Sequence, residues 1–528
     1  MAAVTSPVKY VGVNMDHGLV SRGLNIFVPS ASAAQNIPIS AVFLAHFNVH
    51  TGYELKWSKS VDEISLEGVE FKALPSGLHE RERDVITFVL PAKGSKGVDD
   101  LLYGVCVFHQ NLKESESGDR STVKMYSLGV IVDPYKHRSN SLVTSSGPAW
   151  KPANFSCGVE HVEELNQLLD NWKEEDGYDS FEKFFEAKSD IVNVMSTPSS
   201  PRVQRILPSE NAKEGNHHYL LKLDSLLETL GPLIFKVWRC SLLRQRIIFF
   251  DAPSLEESCA FAYCLSILST VPQELKSLID ETTACNLQFN RPIFSVGVSD
   301  IDWLKTLASN EDGFIAVSSD EIIMFKNKLY DTAVQLQRED ASSPVMFQSK
   351  AKLPGAVNVP ALRATQRDLK RFNVLVREYE LYKDSDITDD ESSLDWWAQV
   401  TEPLSWRYLA WSGFYWWASA GEKELMDDET YSEGIAGYSE IGENGNERLL
   451  SIVGYFQSLT KRIFRTVQDI VGDLDVNEPI VVEYSDLVEM GLDPYSTDDI
   501  EFVIEFIKLW WNRDAKVGSS LGNLCCFM

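Results

Sequence analysis

Five short runs rich in β-branched and aromatic residues fall within the first 135 positions: 41–47 (AVFLAHF), 53–57 (YELKW), 84–90 (DVITFVL), 101–109 (LLYGVCVFH) and 125–132 (MYSLGVIV). Such crowding predicts the strands of a sheet, with the polar stretch 113–120 as a hairpin loop. The pattern then changes. Val159, Val162, Leu165, Leu168 and Leu169 recur at helical spacing within 159–172. Residues 191–216 are rich in Ser, Pro, Asn and Glu and read as a mobile linker. Beyond Tyr219 helical and strand patterns alternate, the signature of an α/β unit. A long apolar helical pattern at 220–243 is expected to break at Gly231-Pro232. A strand is expected at 246–250, a helix at 254–268, and strands at 293–298, 314–317 and 321–325, the last two joined by a tight turn at Ser318-Ser319-Asp320. Helices are expected again at 365–382, 447–471 and 498–511. Eight tryptophans, from Trp396 to Trp511, mark this last part.

The chain has 528 residues, which allows three or four domains at about 150 residues each. With 44% apolar and 24% charged residues it is globular in composition, and a chain this long buries a large core without staples. The formal charge of −28 disfavours a phosphate backbone as a general ligand, and no local basic groove offsets it, so no nucleic-acid partner is expected. Six carboxylates between Asp384 and Asp395 read as a solvated loop. The eight cysteines are scattered, unlike a secreted disulfide framework. The N-terminus shows no signal-peptide pattern, and Ala2 excludes myristoylation. The longest nearly apolar stretch, 260–271, is well short of the roughly 20 residues of a spanning helix. A soluble, cytoplasmic protein is expected, in which the sequon at Asn154 has no consequence.

Motifs for bond-making chemistry are sparse. There is no GxxxxGK[ST] loop and no GxGxxG after a strand. His46 and His50 have HxxxH spacing, but the glutamate of a zinc helix is missing and the segment reads as a strand end. Cys259 and Cys264 lie five apart on a helical pattern, where core packing accounts for them. Gly518-Ser519-Ser520-Leu521-Gly522 fits GxSxG without the strand–turn–helix context and later acid and histidine of a hydrolase, and reads as part of a flexible tail. No catalytic residue, metal site or cofactor is expected. Thr197 and Ser200, each before a proline, are candidates for phosphorylation, a merely solvated loop being the alternative. The sequence Cys525-Cys526-Phe527-Met528 matches a C-a-a-X box of the farnesyl type, although Cys526-Phe527 is not the usual aliphatic pair. A prenyl group on Cys525 is expected, with palmitoylation of Cys525 or Cys526 as the alternative. One lipid chain gives only marginal membrane binding, so a second anchor is required.

Four stretches carry a family resemblance. Residues 41–89, and within them Leu66-Glu67-Gly68-Val69-Glu70-Phe71-Lys72 and Pro75-Ser76-Gly77, resemble the upstream part of DENN-domain proteins of the LCHN-like branch. The segment 231–250 (GPLIFKVWRCSLLRQRIIFF) resembles the helix–strand core of the same domain, and 313–331 its downstream part. The Trp-rich region from Leu394 is similar to the C-terminal domain of unknown function of fungal members. The resemblance implies an α/β chain, α+β overall: a longin-like module over 8–190, the linker 191–216, a central and downstream DENN module over 217–383, an acidic loop and mainly helical Trp-rich region over 384–517, and a tail at 518–528. Leu66, Val69 and Phe71 are expected to anchor a buried turn and strand. The family implies a guanine-nucleotide exchange factor for a Rab-type small GTPase in vesicle trafficking; together with the lipid expected at Cys525, it would be attached peripherally to endomembranes. The alternative is a non-catalytic scaffold or GTPase effector of the same fold. An exchange factor needs a contact surface rather than a catalytic triad.

Overall fold

The computed structural model describes residues 38–133 (apart from 49, 62–63, 79–80, 92–97, 99–100 and 111–123), 158–189, 218–336 (apart from 252–253 and 279–286), 343–348, 361–403 (apart from 380 and 382–394) and 445–518 (apart from 473 and 475–479). The hairpin loop, the linker with Thr197 and Ser200, the acidic run before Asp395, and the tail with Cys525 and Cys526 lie outside the described residues.

All five strands expected in the first part are present: β1 (Ile39–Asn48), β2 (Gly52–Ser60), β3 (Arg83–Pro91), β4 (Leu101–Gln110) and β5 (Met125–Val132). They pair antiparallel in the order β2-β1-β5-β4-β3. Their central members are buried on both faces, which is why the sequence shows continuous apolar runs rather than alternation. Three helices lie on this half: α1 (Val69–Ala73), α2 (Val162–Asn171) and α3 (Asp179–Ser189). Trp57 of β2 stacks on Tyr178 at 5.6 Å and meets Phe181 of α3 at 5.7 Å.

The second half alternates helix and strand: α4 (Leu223–Leu230), α5 (Leu233–Leu242), β6 (Ile247–Phe250), α6 (Leu255–Leu268), β7 (Arg291–Ser295), α7 (Ile301–Ser309), β8 (Phe314–Ser318), α8 (Glu321–Met324), β9 (Thr332–Gln335) and β10 (Val345–Gln348), of which α7, β9 and β10 have no counterpart among the expected elements. Gly231-Pro232 separates α4 from α5, with Gly231 at φ +52°. Strands β7, β8, β6 and β9 are parallel neighbours in that order, and β10 closes the edge antiparallel. One expectation fails here. Within 321–325, expected as a strand, residues Glu321–Met324 form helix α8 and Phe325 caps it. Both edges of β8 are already taken by β6 and β7, so a segment leaving β8 through a tight turn has no strand edge to join.

The two halves share one sheet. Phe88 of β3 bridges in parallel to Ser295 of β7, giving ten strands. At one side of this seam Asp84 accepts hydrogen bonds from Ser254 Oγ (3.1 Å), Leu255 N (3.1 Å) and Glu256 N (3.2 Å), so a carboxylate of β3 caps the N-terminus of α6. Beyond the sheet lie α9 (Gln366–Tyr379), α10 (Asp395–Gln399), α11 (Gly445–Gly472), the short parallel pair β11 (Ile480–Val482) and β12 (Ala515–Val517), α12 (Tyr484–Glu489) and α13 (Thr497–Trp511). The helices expected at 365–382, 447–471 and 498–511 correspond to α9, α11 and α13. Among the described residues, Trp397 and Trp510 serve as core in this region. Trp397 meets Phe372 edge-on at 5.0 Å, and Trp510 meets Phe464 at 5.0 Å. Gly518 follows β12 directly, so a three-residue strand does precede the GxSxG match, whose remaining residues lie outside the described ones. No helix among the described residues is long and apolar enough to cross a membrane.

Candidate functional site

The stretch 66–77 sits at the seam between the two halves. After β2 the chain turns through Leu66-Glu67-Gly68, with Val69 N donating to Leu66 O (3.1 Å) and Gly68 at φ +81°. One helical turn, α1, follows, and Pro75 lies just past its end. Val69, Lys72 and Ala73 face inward. Phe71, expected to be buried, is instead 44% exposed and packs its edge on Tyr53 at 5.6 Å. The cause is geometric. Positions 69 and 71 share a face in a strand but lie about 200° apart on a helix.

Two polar pins cross the seam beneath this turn. Lys72 Nζ pairs with Asp300 Oδ1 at 2.7 Å, both side chains buried, with the Trp303 ring 5.7 Å from the ammonium. Asp300 in turn accepts Gly297 N at 2.9 Å, which fixes the loop after β7. Ser319 Oγ donates to Ser76 O. Gly77, at φ +90°, lets the two turns approach: a Cβ there would sit 3.3 Å from Ser319 Cβ. On the far side, Asp320 accepts Val298 N at 2.9 Å and precedes α8. The Tyr53 phenol has its pKa raised by burial and by the Asp320 charge, which places these groups of opposite halves in one field.

Four large apolar side chains are left in solvent on the elements so pinned. Besides Phe71 they are Val298 (43% exposed), Ile322 (54%) and Phe325 (74%). Phe325 follows α8 directly, and Ile322 lies three residues before it, one helical turn away. Exposed apolar residues shared between two pinned elements suit contact with a protein surface, since full burial of one such side chain yields roughly 1.5–3 kcal/mol. Val298, Ile322 and Phe325 carry no signal of this role in the sequence. As part of an expected strand, Ile322 and Phe325 read as sheet residues.

The other singled-out residues do not converge on this surface. His46 lies on β1 and stacks on Tyr126 at 4.7 Å, while His50 follows in the β1–β2 turn. Cys259 and Cys264 are buried on α6, their thiols contacting Thr87 O (3.6 Å) and Tyr219 O (3.2 Å), and burial raises the pKa of both. Burial likewise pushes Cys106 up to about 12. An open cleft of about 610 Å³ between α2 and α3, lined by Gln167, Asn171, Asp179 and Lys183 among others, is a polar surface groove.

Residues 42–345, which include the turn and both pinned halves, match the family of DENN domain-containing protein 11. Residues 401–478 and 472–528 match a domain of unknown function, DUF4484. The uncharacterized protein ANR2 of Saccharomyces cerevisiae is 29% identical over 92% of this chain and 94% of its own length. DENN domain-containing protein 11 of Xenopus laevis is 26% identical over 57% of this chain and 60% of its own. The uncharacterized protein C119.16c of Schizosaccharomyces pombe is 22% identical over 90% of this chain and 92% of its own. The matched family spans more than half of the sequence, sheet and seam included. The chain therefore belongs to the DENN domain-containing protein 11 family and carries a C-terminal domain of the DUF4484 type.

Proposed function

We propose that this protein is a guanine-nucleotide exchange factor for a Rab-type small GTPase, and that the GTPase docks on the surface formed by α1, Val298 and α8. The single observation that carries the reading is the exposure of Phe71, in a stretch that bears the family resemblance, together with Val298, Ile322 and Phe325 on the elements of the other half that are pinned to it. In this reading the antiparallel half is the longin-like module, and the pins Lys72–Asp300 and Ser319–Ser76 hold it against the central module. Exchange requires no bond to be made. The factor binds the GTPase more tightly with its switch segments displaced and nucleotide absent, and each tenfold gain in release rate takes about 1.4 kcal/mol of that differential binding. A lipid at Cys525 would confine the protein to the endomembrane that carries its GTPase, raising the local concentration.

The test is release of fluorescent GDP from a panel of Rab GTPases, free and tethered to liposomes. Concentration-dependent acceleration for one Rab is expected. Phe325→Asp is expected to slow that exchange at least tenfold, a loss of about 1.4 kcal/mol. Its melting temperature should match the wild type, because Phe325 is 74% exposed. Binding confined to a GTP-loaded Rab, with no acceleration of release, would replace this reading by that of an effector.

A further inference from the structure

We propose that the C-terminal region of unknown function is a built-in binding partner of the central half, seated on α5 by an ion-pair clamp that α13 supplies. This does not rest on exchange activity.

Helix α5 (LIFKVWRCSL) has every residue buried, yet it carries two cations one turn apart, Lys236 and Arg239. A buried cation needs a hydrogen-bonded counter-charge. Within the sequence stretch preceding the C-terminal domain, Arg239 finds one in Asp368 of α9, held by two parallel bonds of 2.8 and 2.6 Å. The rest of the compensation comes from the C-terminal domain. Lys236 Nζ donates to Asp498 Oδ2 at 2.6 Å, and Asp499 Oδ1 lies 3.3 Å from Arg239 Nη2. Consecutive residues on a helix point about 100° apart, so Asp498 and Asp499 in the first turn of α13 reach two different cations. Asp499 is itself fixed, since its second oxygen accepts Asp493 N at 2.8 Å.

The apolar positions of α5 meet the other long helix of the same domain. Phe456 of α11 stacks on Phe235 at 5.4 Å and meets Trp238 edge-on at 5.7 Å. Trp510 of α13 lies 5.2 Å from the Arg244 guanidinium, just past α5. Lys461 pairs with Glu274 at 2.6 Å at the margin. An aromatic centre with desolvated charge pairs has the composition of a permanent protein–protein interface. The apolar contacts supply non-directional burial. The paired charges select one seating of α13 on α5, because a shifted helix would bury unpaired charge.

The experiment places a protease site within 404–444 of the full chain, cleaves it, and follows the two fragments by size-exclusion chromatography. The fragments are expected to co-elute. Lys236→Glu should reduce the co-eluting fraction at least tenfold, and Lys236→Glu with Asp498→Lys should restore it. Fragments that part under native conditions would overturn the proposal, as would co-elution undiminished by Lys236→Glu or a swap that restores nothing. Should Lys236→Glu prevent folding, Asp498→Asn gives the second reading. It should release the C-terminal fragment at a lower urea concentration than the wild type, and an unchanged midpoint would overturn the clamp.

Discussion

At the scale of single residues, the two glycines of the 66–77 stretch separate backbone demand from crowding. Both have positive φ, but a Cβ at Gly68 meets nothing within 4 Å, whereas one at Gly77 presses on Ser319. Gly68→Asn is therefore expected to cost under about 1 kcal/mol, since asparagine tolerates the left-handed region, and Gly77→Val about 2–3 kcal/mol. Urea denaturation of the two variants checks the order. Glu402 provides a pH prediction. Burial first, then the charges of Asp498 and Asp499, push its carboxyl up to about 7 from an ordinary 4.5. The folded state thus holds a proton that the unfolded chain releases. Stability from this group is full below about pH 4.5, declines as pH rises, and is gone above about 7. Because Glu402 is only half-buried, the difference is about 1–2 kcal/mol after solvent screening. Glu402→Gln should raise the melting temperature at pH 8 and leave it nearly unchanged at pH 5. Equal shifts at both pH values would contradict this assignment. Such roles are illegible in sequence, as Lys72 also shows. A lysine between apolar residues reads as solvent-facing until its buried partner, Asp300, is known.

At the scale of elements, the Lys72–Asp300 pair joins α1 to the turn after β7, and its two members behave as a unit. Lys72→Met leaves Asp300 buried and unpaired and should cost about 3–5 kcal/mol. The double variant Lys72→Met with Asp300→Asn removes the orphaned charge but keeps an oxygen to accept Gly297 N. It should therefore recover more than half of that loss in a double-mutant cycle; additive losses would mean that the pair is not a pin. The long elements were readable because their periodicity extends over several turns or pairs, as in β4, α6 and α13. Short strands are legible only where the run is continuously apolar, as in β6. Strands β9 to β12 have three or four residues each, too few for a period to emerge. At α8 the run Glu-Ile-Ile-Met-Phe suits a strand locally, and only the occupied edges of β8 forbid one.

At the scale of the whole molecule, one sheet runs through segments that the sequence separates by a Ser/Pro-rich stretch. Deleting 196–214 is expected to leave a single cooperative unfolding transition, because β3–β7 pairing, the Asp84 cap and the Lys72 pin hold the halves together without the linker. Two separate transitions in calorimetry would argue against that coupling. By itself the sequence determined the strand-rich beginning, the α/β alternation after Tyr219, the helical C-terminal region and the family, because each is written in local periodicity or in a long ordered match. Only the tertiary structure decided that β3 meets β7, that Phe71, Val298, Ile322 and Phe325 are left exposed on the pinned elements, and that Asp498 and Asp499 answer Lys236 and Arg239. These are pairings between residues far apart in the chain. Their energies depend on burial and distance, which no local pattern encodes.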